Sequence, residues 1–240
     1  MSSVNSATRR VGRRPRVSRE QVLHAALELA DESGLAAVTM ASVGARLGVE
    51  AMSLYRHVGS KEEMLDGLVD KVFAEIEVPA DARDWREALR RRAVSVHAAL
   101  RRHPWAIGLM ESRSQPGPAT LGHHDAMLAL LFRAGFDGGA ATRVYNLLNS
   151  YVYGFALQEA TLPFSSPEEM ASLSAEMLAG VADAYPQLAR AQRELVASGF
   201  DYADEFEAGL DIIMSALPEP PSDPEVRSST RKRTRSTNAG

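Results

Sequence analysis

Between Thr39 and Lys61 the chain reads TMASVGARLGVEAMSLYRHVGSK, and this stretch restricts the possible folds more than any other. Met40, Val43, Gly44 and Leu47 repeat at helical spacing, Gly48 interrupts them, and a second short segment from about Glu50 to His57 carries Tyr-Arg-His. Ser60, with Glu63 three positions on, then starts another helix. So small a break between two helices of one to two turns suits a helix-turn-helix, whose second helix can enter the major groove of DNA.

The flanking sequence supplies the rest of such a domain. Ser18 and Gln21 form a capping-box pair, Leu23, Ala26, Leu27 and Ala30 make an apolar stripe, and Gly34 ends that helix. The helix that starts at Ser60 carries Leu65, Leu68, Val69, Val72, Phe73 and Ile76 before Pro79, long enough to leave the small domain and enter the next. Beyond Asp84 everything reads as helix. Leu89, Ala93, Val96 and Leu100 form one stripe ended by His103-Pro104, and Trp105, Ile107, Leu109 and Met110 lie on a short segment. Residues 119–134 are apolar on most sides, and Val144, Leu147, Leu148, Tyr151, Val152 and Phe155 mark a helix over about 140–160. Two weaker helices are expected around 168–183 and 187–197, and Phe206, Leu210, Ile213 and Leu217 form the last stripe. No β pattern and no internal repeat is present, so the fold class is all-α.

Charge is segregated. The 240-residue chain has a net charge of −4, yet residues 1–61 hold nine basic against five acidic side chains and residues 218–240 hold five against three, which leaves −10 for the middle. A basic end on an acidic body points to nucleic acid at the N-terminal end. The arm Arg9, Arg10, Arg13, Arg14 and Arg16 suits the DNA backbone or a minor groove, whereas the basic run from Arg231 to Arg235 reads as solvated tail. The absence of cysteine removes disulfides, zinc fingers and thiolate nucleophiles, and fits a reducing interior. No signal-peptide layout and no apolar run near the ~20 residues of a membrane span is found, so a soluble cytoplasmic protein is expected.

Residues 18–73 resemble the DNA-binding domain of the tetracycline repressor (TetR) family: a helix ending in Gly34, then Thr39, Leu47-Gly48-Val49, Leu54-Tyr55-Arg56-His57-Val58, Lys61 and Leu65. Residues 84–216 resemble the ligand-binding domain of the tetracycline repressor through Trp85, Ala-Gly-Phe at 134–136 and Gly154 before Gln158-Glu159. The resemblance implies a homodimeric repressor, released from a palindromic operator in double-stranded DNA by a small molecule. Together with the polar, arginine-rich composition of 1–17 and the proline-rich polar composition of 218–240, it divides the chain into a disordered basic arm (1–17), a three-helix helix-turn-helix domain (18–63), a helical ligand-binding and dimerisation domain (64–217) entered through the connecting helix, and a disordered tail (218–240). A DNA-binding activator or regulator without small-molecule control is the alternative, and an enzyme is a remote third reading.

On this reading Ala51 or Met52, Ser53 and Arg56 face the bases, through thymine-methyl contact or an Arg fork to guanine, while Tyr55, His57 and Lys61 serve phosphates. Resemblance adds Thr39 on a phosphate with Ser42 nearby. Ala41 stands where the tetracycline repressor has a base-reading arginine, so operator sequence does not carry over.

For the effector, Trp105, Met110, Met127, Tyr151 and Phe155 are expected to line an apolar cavity, with His97 and Asn149 or Gln158 as orienting groups. Met110, Arg92 and Met127 replace the histidine, asparagine and glutamine by which the tetracycline repressor holds its magnesium–drug chelate, and Glu159 or Gln158 remains near the carboxylate position without that histidine. No metal, cofactor or catalytic residue is therefore expected. The histidines beside Gly122, His123 and His124, read as an exposed helix start, and no HExxH, phosphate loop or GxSxG elbow occurs. Dimerisation is assigned to the helices near 140–160 and 202–216, where Tyr145, Tyr153 and Ile212 lie off the main stripes.

Overall fold

A computed structural model describes residues 17–82, 84–110, 112–113, 115–200 and 202–220. The expected basic arm, apart from Val17, and the tail beyond residue 220 lie outside the described residues. The chain divides into two compact units between Leu68 and Val69, inside one continuous helix. Among the described residues there is no strand.

The first unit holds α1 (Arg19–Ser33), a 3-10 turn at Leu35–Ala37, α2 (Met40–Leu47), α3 (Ala51–Leu54) and the start of α4 (Lys61–Glu75). Its helices begin where local chemistry satisfies their free N–H groups. Ser18 and Gln21 make both bonds of a capping box, as do Thr39 and Ser42. Glu63 N–H bonds the Ser60 hydroxyl at 3.0 Å, while the Glu63 carboxylate reaches back to the Gly59 N–H at 2.8 Å. The apolar stripes then meet in one core of Val22, Leu23, Ala26, Val38, Val43, Leu54, Val58, Met64 and Leu68. Each larger side chain there stabilises the unit by about 1.5–3 kcal/mol of transfer free energy. Arg46 ties α2 to α1 through Glu28 and Glu32. Helix α3 is shorter than the 50–57 expected. The chain keeps winding after Leu54, whose carbonyl accepts from His57 and Val58 N–H at 2.8 and 3.0 Å.

The second unit comprises the end of α4, α5 (Trp85–Arg102), a 3-10 turn at Pro104–Ala106, α6 (Ile107–Met110), α7 (Pro118–Ala134), α8 (Gly138–Thr161), α9 (Pro167–Leu178), α10 (Pro186–Ser198) and α11 (Tyr202–Ala216). Asp84 caps α5 and Asp137 caps α8. The expected α5 stripe of Leu89, Ala93, Val96 and Leu100 is fully buried, and Leu131, Leu148 and Val152 complete the α5–α7–α8 core. Helix α11 packs through Phe206 and Leu210, with Leu217 buried just past its end, and Arg86 holds that end by donating to the carbonyls of Met214 and Leu217. Helices α9 and α10 bury little beyond Met170, Ser174 and Ala189. Helix α9 stops at Leu178, short of the expected 183.

Two sequence-based placements are corrected here. Tyr145, read as lying off the main stripe towards a partner, is buried with its ring over Arg92. His123, read as part of an exposed helix start, is in the core because it lies on the face of α7 that also buries Met127 and Leu131.

Candidate nucleic-acid interface and effector region

The helix-turn-helix is held by two glycines for different reasons. Gly48 ends α2 at φ 66°, in the left-handed region that other residues enter at a cost. Gly44 lets α2 approach the turn, because a β-carbon there would sit 2.8 Å from the Val49 carbonyl oxygen. With Leu54 and Val58 fully buried as anchors, the opposite side of the α3 segment faces outward. Met52 is 74% exposed, Tyr55 46% and Arg56 also exposed, an i, i+3, i+4 set that forms one surface. Ala51, Ser53 and His57 are half-buried at its edges, and Lys61 is exposed at the start of α4. Thr39 is exposed at the α2 N-terminus, and the Ser42 hydroxyl donates to the Ala37 carbonyl at 2.7 Å.

In the second unit, four of the seven expected effector residues gather around Phe206 and Tyr202. His97 is stacked on Phe206 at 3.9 Å, meets Phe155 edge-on at 5.5 Å and bonds Glu159 Oε2 at 2.6 Å. Tyr151 donates its hydroxyl to the Phe206 carbonyl at 2.8 Å, and Gln158 accepts from the Tyr202 hydroxyl at 3.3 Å. Burial raises the phenol pKa of both Tyr151 and Tyr202. Glu159 is thus paired with His97, a residue other than the chelating histidine whose place Met110 takes, and with Arg101 at 3.4 Å. Met110 and Met127 are buried on α6 and α7, and Trp105 is half-buried beside His103.

Two neighbouring grooves of about 330 and 320 Å³ share Phe164, Met170, Phe200 and Tyr202 as walls, and none of the seven lines either. Among the described residues, no three of His, Cys, Asp and Glu are grouped so as to hold a metal ion, and no helix is long and apolar enough to cross a membrane.

Sequence reading missed a polar cluster between α5, α7 and α8. Arg92 is wholly buried, its Nε donates to His123 Nε2 at 2.9 Å, and an Nη donates to the Tyr145 hydroxyl at 3.1 Å. The signal was present, since Leu89, Arg92, Ala93 and Val96 follow i, i+3, i+4, i+7 spacing, which puts the arginine on the apolar stripe.

The end of α4 is seated on the same helices. Asp70 accepts from the Thr120 backbone N–H at 2.9 Å and its hydroxyl at 3.0 Å. Phe73 meets the rings of His123 and His124 at 5.7 and 5.4 Å. Glu75 accepts from Arg102 at 2.7 Å and pairs with His103 at 3.2 Å; burial opposes its ionisation, but these bonds hold its pKa below the ordinary carboxylate value.

A helix-turn-helix with an outward recognition surface, followed in the chain by an all-helical second unit, defines a DNA-binding transcription regulator. Residues 22–68 match the family model of bacterial regulatory proteins of the tetR family, and residues 78–219 match that of the tetracyclin repressor-like C-terminal domain. The chain belongs to the TetR family of transcriptional regulators. It is 36% identical over 147 residues to the HTH-type transcriptional repressor DrrR1 of Streptomyces coeruleorubidus, which covers 60% of this chain and about half (54%) of that relative. It is 30% identical over 204 residues to the class A tetracycline repressor from transposon 1721 of Escherichia coli, covering 82% of this chain and 88% of that protein. Among solved structures, ActR of Streptomyces coelicolor in complex with actinorhodin superposes with a TM-score of 0.71 at 26% identity, over 85% of this chain and 96% of that one.

Proposed function

We propose that this chain is a homodimeric repressor that holds a palindromic operator through α3 and releases it when a small, largely apolar effector binds in the second unit. The observation that carries the reading is the outward set Met52, Tyr55 and Arg56 on a recognition segment anchored by Leu54 and Val58. Arg56 offers a fork to guanine, Met52 an apolar contact for a thymine methyl, and Tyr55, His57, Lys61 and Thr39 serve phosphates that fix register. Ala51 and Ser53 come close to the bases at the groove edge, and Ser42 keeps Thr39 in place through their shared cap.

Repression and effector control are supported by the DrrR1 likeness and by ActR, which has been crystallised with actinorhodin. The effector lies among α5, α7 and α8, with Met127 and Met110 as apolar walls and with His97, Tyr151, Phe155, Trp105 and Gln158 on the flank that leads to α11. It acts on the end of α4, where Asp70 and Phe73 are bound to α7. An effector moves the operator equilibrium only by its difference in affinity for the two states. Dimerisation uses α8 and α11, each of which carries exposed apolar side chains: Leu147 and Leu157 on the first, Ile212 at 70% exposure on the second. Paired with their symmetry mates they form a four-helix, self-complementary interface. The protein works inside the cell, where its operator is.

The test is footprinting and fluorescence anisotropy with the DNA upstream of its own gene. One short, two-fold symmetric protected site is expected, and Arg56→Ala and Tyr55→Ala should each lower affinity by about tenfold or more. Broad protection without a discrete site, or affinity unchanged by both substitutions, would defeat the reading.

A further inference from the structure

Arg92 interrupts an otherwise apolar stripe and is completely excluded from solvent. A guanidinium stays protonated at any pH a folded protein meets, so this is a full buried charge. Buried charges are normally answered by an opposite charge, because desolvating a lone ion is strongly unfavourable. Here the two hydrogen-bonding partners are neutral: His123 Nε2 at 2.9 Å and the Tyr145 hydroxyl at 3.1 Å, with the Tyr145 ring 4.6 Å from the guanidinium carbon. Among the described residues no carboxylate pairs with Arg92, and its Nη1 is buried without a partner.

The histidine adds a second unmet donor. Because His123 accepts from Arg92 at Nε2, the neutral ring must carry its proton on Nδ1, and that atom too is buried without a partner. Burial first, then the charge of Arg92 and then His124, push the His123 pKa down to about 3, so the ring remains neutral. On α8, Asn149 lies one turn beyond Tyr145, and its Oδ1 is a buried acceptor without a donor. Met127, one turn beyond His123, adds an apolar wall on α7. A water molecule would satisfy one donor but leave the charge uncompensated. By contrast His97 and His103, the other buried histidines, already have Glu159 and Glu75.

We propose that Arg92 forms an anion-binding end of the effector site, where its unpartnered Nη1 takes the carboxylate or ionised phenol oxygen of an aromatic molecule while Asn149 accepts from a hydroxyl on the same molecule. The inference rests on the effector-controlled reading above and adds the charge of the ligand to it. Apolar bulk alone would leave the charge of Arg92 unanswered, whereas an anionic oxygen on Nη1 answers that donor and the charge together.

The test uses the full chain with benzoate, 2-naphthoate and anthraquinone-2-carboxylate, each beside its neutral amide, and with inorganic phosphate and chloride as free-anion arms. Calorimetric titration and thermal shift are read for the wild type, Arg92→Met and Arg92→Lys. At least one acid should bind the wild type about tenfold or more tightly than its amide, as expected for charge-assisted bonds in a buried site. Arg92→Met should lose that preference while melting no lower than the wild type without ligand, since it removes a charge that nothing in the protein compensates. Should Arg92→Met not fold, Arg92→Lys and the acid–amide comparison on the wild type decide. Equal binding of acid and amide at all three sizes, no binding by any acid, or phosphate or chloride stabilising as much as the aromatic acids would each overturn the proposal. Anisotropy with the upstream DNA is measured on the same samples. If neither wild type nor variant binds DNA, the regulator reading fails while the acid preference is still scored; DNA binding without acid preference sinks only the anion site.

Discussion

Replacing Gly44 by alanine adds one methyl group at the tightest point of the helix-turn-helix. The new β-carbon would lie 2.8 Å from the Val49 carbonyl oxygen, 3.2 Å from the Ala51 nitrogen and 3.4 Å from the Ala51 α-carbon. All three are backbone atoms, so no side-chain rotation relieves them, and the Val49 N–H is itself bonded to the Gly44 carbonyl at 2.9 Å. Helix α2 and the turn must therefore separate by a few tenths of an ångström. Overpacking of this kind costs about 1–3 kcal/mol. Against it stands a gain of about 0.5–1 kcal/mol from removing a glycine inside a helix. The clash wins, and the net loss is about 1–2 kcal/mol, which for a unit of this size lowers its melting temperature by about 5–10 °C. The displacement also tilts α3, so affinity for the upstream DNA should fall by about tenfold or more at temperatures where the variant is still folded. Scanning calorimetry of the full chain and anisotropy titrations measure the two effects. A melting temperature that rises, or DNA affinity that stays unchanged, would refute the claim that α2 and the turn are in contact through backbone alone.

The opposite result is expected at Gly122, which is exposed within α7 with open space where a β-carbon would go; Gly122→Ala should stabilise the second unit by about 0.5–1 kcal/mol in denaturant titrations. His123 should make the protein acid-sensitive: its pKa falls from 6.5 to about 3 on folding, so the unfolded chain binds the proton first and stability is lost as pH drops from about 6.5 towards 3. The slope approaches about 1.4 kcal/mol per pH unit, and His123→Gln should flatten that part of the curve. Leu147→Asp with Ile212→Asp should convert a dimer into folded monomers by sedimentation, since both side chains are exposed on α8 and α11; a variant that remains dimeric would move the interface elsewhere.

What could be read from the chain and what could not divides along the range of the interactions. The Ser18–Gln21 box, the Thr39 cap, the Gly48 break and the α5 stripe were legible because each is decided within one or two turns of helix. Tyr145 and His123 were misread because helical period alone cannot tell which side of a helix is buried when neighbours cover more than one face. The His97–Glu159 pair spans 62 positions and Arg92–His123 spans 31, so neither bond is visible to any local pattern. Arg92 is placed in the effector region by resemblance alone, because the α5 stripe is read from its apolar members and a charged residue at the same spacing adds nothing to it. The length of α3 was overestimated because its winding continues in turns that keep the helical direction without the full bonding ladder.

The placement of polarity separates the two units by what each must do. Among the described residues the first buries apolar side chains and no polar ones, as befits a head whose recognition surface must keep one shape. The second buries Arg92, His97, His103, Thr120, His123, Asn149 and Ser174, and several of these lie at the seat of α4. Apolar contacts change gradually as helices slide, whereas a hydrogen-bonded seat such as Asp70 on Thr120 is either made or broken, and that gives an element two arrangements. Under the proposed reading, an anion drawn to Arg92 pulls on the side chain that also holds His123, whose ring touches Phe73 on α4, so the Arg92–His123 bond links ligand to helix. The coupling need not be large. Differences of about 1–3 kcal/mol between the two arrangements change operator affinity about 5- to 150-fold. A buried cation left without its anion is thus a liability to the unliganded fold and the source of the energy difference through which an effector would act.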